Sequence, residues 1–70
     1  MEYERYARAI TSALTKVEDR EVSILDIWIL TSIPEDLIRE LFEKNMVKVP
    51  DNIVRIVDNR RKNKVVYERS

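Results

Sequence analysis

Ser32-Ile33-Pro34-Glu35-Asp36-Leu37-Ile38-Arg39-Glu40-Leu41-Phe42-Glu43-Lys44-Asn45-Met46 is the run that decides the fold. Ser32 followed by Glu35 three residues later has the form of a capping box. The hydroxyl can accept from an orphan backbone N–H, and the carboxylate suits the positive end of a helix. Pro34 fits the first turn, where a missing N–H costs nothing. Leu37, Ile38, Leu41 and Phe42 recur at three-and-four spacing, the inward stripe of a helix that runs through Lys44. Glu35, Asp36, Arg39, Glu40 and Glu43 point outward. Asn45 suits a left-handed terminator, and Met46 can fold back on Leu41.

Working outward toward the N-terminus, Ile24–Thr31 is a short helix that is almost wholly apolar, opened by Ser23 and Asp26 as a second capping box. Its one charge, Asp26, implies that it is surrounded on most sides, and Trp28 is read as core rather than as a binding anchor. Glu21-Val22-Ser23 is a connector or a brief strand. Before it, Tyr3, Tyr6, Ala7, Ile10, Leu14 and Val17 form the stripe of a helix over residues 2–18. Tyr3 and Tyr6 belong to the core or to a homodimer seam.

Toward the C-terminus the period changes from helical to alternating. Val47 and Val49 form a first strand leading to the turn Pro50-Asp51-Asn52, where proline presets φ and asparagine tolerates the left-handed region. Ile53–Val57 and Lys64–Glu68 then read as strands around Asp58–Asn63. Pairing Ile56 with Val65 and Val54 with Tyr67 makes both strands amphipathic, with Arg55 and Lys64 on the opposite face.

Composition bounds the rest. The chain has 70 residues, one domain spanning 1–70. It contains no cysteine, histidine or glycine, which excludes disulfides and the metal sites built from cysteine and histidine. Without those side chains the commonest general base and the strongest nucleophile are missing, so no catalytic residues, metal or cofactor are expected. Glu18, Asp19 and Glu21 could hold a weak divalent ion, or simply be solvated. The 13 basic and 13 acidic residues cancel, so no global field favours nucleic acid or anionic lipid. A charged fraction of 37% without glutamine or cysteine fits a thermophile's composition. The chain carries neither a signal peptide nor a membrane span, which predicts a cytoplasmic protein.

Helix, connector, helix, tight turn, capped helix, strand, hairpin with a basic tip: this order resembles the winged helix-turn-helix superfamily. The residues that carry the resemblance are Val22-Ser23-Ile24, Ser32-Ile33-Pro34-Glu35, Leu37-Ile38-Arg39-Glu40-Leu41 and Asn45-Met46-Val47. It implies an α+β fold of three helices followed by a β-hairpin wing; the rival is a helical hairpin on an unrelated β-ribbon. It also implies that residues 33–44 form a recognition helix and Arg60-Arg61-Lys62 a wing. The sequence departs from the DNA-binding pattern in its charges. Residues 35–44 hold four acids against two bases, while residues 55–64 hold five bases against one acid. Two functions follow. A DNA-binding protein, for instance a transcriptional regulator, would contact double-stranded DNA through Arg39, Arg60, Arg61, Lys62 and Lys64. A protein–protein adaptor, for instance an accessory subunit of a polymerase or other DNA-processing complex, would dock through Glu35, Asp36, Glu40 and Glu43. Each charge cluster also has a plainer reading: a solvated strand tip that protects an edge, or acids that suit the helix end.

Overall fold

The computed structural model describes residues 2–69. Helix α1 (Tyr3–Leu14) is followed by strand β1 (Glu21–Ser23), helix α2 (Ile24–Thr31) and helix α3 (Glu35–Glu43). Strand β2 (Arg55–Asp58), a single 3-10 turn (Asn59–Arg61) and strand β3 (Lys64–Glu68) complete the chain. The class is α+β, three helices on one three-stranded sheet of order β1-β2-β3. The brief strand is real and pairs parallel with β2, setting Val22 beside Ile56; β2 and β3 are antiparallel. Residues 47–49 form no strand, contrary to the sequence reading.

The core is where the stripes meet. Ile10 and Leu14 of α1, Ile24 and Ile27 of α2, and Ile38, Leu41 and Phe42 of α3 close over Val22, Ile53 and Ile56. On the outer face of the sheet Arg55 lies between Glu21 at 3.1 Å and Glu68 at 2.8 Å, one charged row across all three strands. The hairpin register differs from the alternating reading. Ile56 faces Tyr67 and Val57 faces Val65, with an irregularity between the two pairs. Val66 is the extra residue. Such a bulge turns Val65 outward, so it is exposed rather than core.

The helix ends divide into those the sequence pattern anticipates and those it does not. Ser23 and Asp26 make the full reciprocal box, at 3.1 Å and 2.9 Å. At the end of α3, Asn45 adopts φ 60°, Met46 N–H donates to Leu41 O, and Asn45 N–H to Phe42 O. That is a Schellman closure, with Met46 packed on the core. Ser32, however, does not cap α3. It ends α2 in the left-handed region at φ 61°, its N–H donating to Trp28 O at 2.7 Å. The reason is Pro34, whose ring disfavours a helical Ile33 and so delays α3. Pro34 itself is the N-cap, without a side-chain cap bond. Helix α1 also stops short of residue 18. Asn52 is not left-handed; its side-chain amide donates to Leu14 O and Val17 O, tying the end of α1 to the segment before β2.

Ser32 therefore carries a cost that glycine would not. Ser32→Gly should raise stability by about 1 kcal/mol, because a left-handed residue with a Cβ is strained by that order. Thermal melting should show a rise of roughly 4–8 °C. A lower midpoint would show that Ser32 is not left-handed.

Candidate interaction surface

Helix α2 is not surrounded. Ile24 and Ile27 are fully buried, but Leu25 is 38% exposed, Trp28 44%, Ile29 63% and Leu30 54%. Six of its eight residues are apolar, and at 100° per residue two of them suffice to face the core. Trp28, Leu25 and Ile29 form an apolar arc open to solvent, with Leu30 beyond Asp26, so Trp28 lies at the surface rather than in the core. The reading of α2 as a core helix surrounded on most sides is thus corrected. Sequence held the signal: a helix apolar on all sides needs more protein around it than a chain of this length supplies.

Two grooves flank this arc. One, between α2 and the turn before β1, is lined by Val17, Val22, Ile29 and Leu30 with Asp19 and Asp26. Its volume of about 260 Å³ lies below the range usual for small-molecule sites, but suits side chains. The other is lined by Leu25, Trp28, Pro34, Glu35, Asp36 and Arg60. The N-terminus of α2 is anchored beside it, Leu25 N–H donating to Asn59 Oδ1 at 3.2 Å.

The residues expected to bind DNA are dispersed into other duties. Arg39 does not point outward; its side chain is only 11% exposed, and it grips the fully buried Asp58 with Nε and Nη2 while Nη1 reaches Asp36. Asp58 also accepts the backbone N–H of Arg60 at 3.1 Å and has Arg61 at 3.6 Å. The hydrogen bonds from Arg39 hold the Asp58 carboxyl below the usual range despite its burial, and they raise Arg39 in turn. Arg60 turns back onto Glu35 at 3.1 Å. Lys62 and Lys64 are exposed and have no ion-pair partner among the described residues. Asp58, read from sequence as one acid in a basic turn, is the anchor of that turn. A single carboxylate between a strand and a run of bases was its only signal.

The acids of α3 are divided as well. Glu35 and Asp36 pair with arginines, and Glu40 accepts from the Tyr3 hydroxyl at 2.7 Å with Lys44 nearby at 3.9 Å. That bond to Glu40 raises the Tyr3 phenol. Glu43 alone of the four lacks an ion-pair partner among the described residues. Among those residues no group of histidine, cysteine, aspartate and glutamate could hold a metal ion, and no helix is long and apolar enough to cross a membrane. No family model, no curated protein and no solved structure matches the chain.

Proposed function

We propose that this protein is a non-enzymatic protein–protein adaptor on a winged-helix type of scaffold, an accessory subunit that docks through the exposed face of α2. One observation carries the reading: Leu25, Trp28, Ile29 and Leu30, four large apolar side chains of one helix, are open to solvent. Apolar surface of this kind marks an interaction site, and tryptophan is enriched where binding energy concentrates. A small domain with a limited core also gains stability from a partner. The three helices and three-stranded sheet are compatible with a winged helix.

DNA binding is the second reading, supported by the exposed Lys62 and Lys64. Of the five residues expected to contact DNA, Arg39, Arg60 and Arg61 are engaged by Asp58 and Glu35, which leaves Lys62 and Lys64 without a competing carboxylate among the described residues. Duplex binding should then be weak even at ~50 mM salt, with a log–log salt slope near −2. In parallel, tagged wild type, Ile29→Asp and a Lys62→Ala/Lys64→Ala double variant are compared for protein bound in extracts of the source cells. The adaptor reading expects one partner retained by wild type and the lysine variant and lost with Ile29→Asp. Tight duplex binding with a slope of −3 to −4, abolished by the lysine variant, would replace it with the DNA reading.

A further inference from the structure

The charges around the α2 face are not distributed like those on the rest of the surface. Eight of the 13 carboxylates are in ion pairs: Glu2, Glu21, Glu35, Asp36, Glu40, Asp51, Asp58 and Glu68. The others are Glu4, Glu43, Glu18, Asp19 and Asp26, without ion-pair partners among the described residues. Asp19 and Asp26 line the groove beside Ile29 and Leu30, and Glu18 adjoins it in the same turn. Asp26 is held by Ser23 N–H, which fixes the position of its charge. Lys16 and Arg20 bracket the turn but do not line the groove. Apolar walls and unneutralised carboxylates thus coincide.

We infer that the occupant of this groove is a basic amphipathic helix of a partner protein, its apolar side chains against Val17, Val22, Ile29 and Leu30 and its lysines or arginines against Asp19 and Asp26. The inference rests on the docking role of α2 and adds the chemistry of the partner. Charge complementarity weighs against the two nearest competitors. A second copy using the same face brings two sets of unneutralised acids into one interface. An anionic membrane surface repels them. A helix is the shape that lays an apolar stripe along a groove while keeping charges at its margins.

Trp28, the one tryptophan in the chain, lines the other groove, so occupancy is read from the fluorescence anisotropy of a labelled peptide. The probe is a labelled amphipathic peptide of leucine and lysine, about five turns long, with a glutamate-for-lysine counterpart as control. Wild type should show a saturable rise in anisotropy with the lysine peptide, and binding at least about tenfold weaker with the glutamate peptide. Glu18→Lys/Asp19→Lys, whose residues lie outside the core, should reverse that preference, with circular dichroism unchanged. Equal affinity for both peptides, lost in Ile29→Asp, would leave α2 as a docking face and overturn the basic partner. Binding of neither peptide also overturns it. Dimerisation with protein concentration alone that is lost in Ile29→Asp points to self-association, and co-sedimentation with phosphatidylserine vesicles without peptide binding points to a membrane; either result replaces the proposal.

Discussion

Asp58→Ala should cost about 3–5 kcal/mol, the loss expected when one member of a buried ion pair is removed and its partner stays charged. Asp58 is fully buried and receives two bonds from Arg39 and one from the Arg60 backbone. Alanine leaves a guanidinium that is 11% exposed with only Asp36 to meet it. A domain of this size has a total stability of roughly 4–10 kcal/mol, so the variant should be largely unfolded or melt far below wild type. Urea denaturation measures the loss. Asp36→Ala, at the exposed arm of the same arginine, should cost under ~1 kcal/mol. Replacing both members of the buried pair by apolar residues, Arg39→Met with Asp58→Leu, should recover much of the loss. A loss below about 1 kcal/mol for Asp58→Ala would mean the pair does not form. Acid should act on the same carboxylate. Its folded pKa is depressed, so its contribution is complete above the unfolded value near 4 and disappears as pH falls through the folded one. Wild type should therefore lose more stability than Asp58→Asn on acidification below about pH 4.

Ile27→Asp and Ile29→Asp, two residues apart on one helix, should differ by more than about 4 kcal/mol. Ile27 is fully buried, and aspartate there places an unpaired carboxylate among Ile10, Ile24 and Ile38, or forces it to stay protonated. Ile29 is 63% exposed, so aspartate there should change stability by about 0.5 kcal/mol or less. The second variant should also be the more soluble of the two and should resist dye binding to exposed apolar surface. Equal destabilisation would mean that α2 is covered on both sides, and its role as a docking face would be withdrawn. Near-wild-type stability for Ile27→Asp would mean that the helix is rotated.

Period and punctuation made the helices legible. The stripe Leu37, Ile38, Leu41, Phe42 and the endings at Ser23 and Asn45 are local devices, and they stand where the pattern puts them. What failed depended on two local rules competing at one residue, or on partners further along the chain. Ser32 could cap α3 or end α2, and the choice turned on Pro34 restricting Ile33. Arg39 reads outward on a helical wheel, yet a buried carboxylate 19 positions away draws it in. The hairpin register looked settled by alternation until the bulge at Val66 shifted it. Of the candidate surfaces, the charged ones were legible as clusters, but sequence could not show that Arg60 turns back onto Glu35 or that Arg39 turns in to Asp58. The apolar one was legible as composition and misassigned to the core.

The parallel pairing of β1 with β2 constrains the order in which the chain can assemble. Glu21 meets Arg55, so the loop to be closed contains all of α2 and α3. β2 and β3 close only a short tip, and that antiparallel contact is the kinetically cheap one. Closing the longer loop before α2 and α3 have docked leaves its entropy loss uncompensated by core contacts. Loop-closure entropy therefore predicts that the hairpin and the helix pair form first and that the three-residue strand enters last, as a latch over elements already in place. The turn that leads into this latch also carries Glu18 and Asp19, so the last part of the chain to settle borders the groove beside α2.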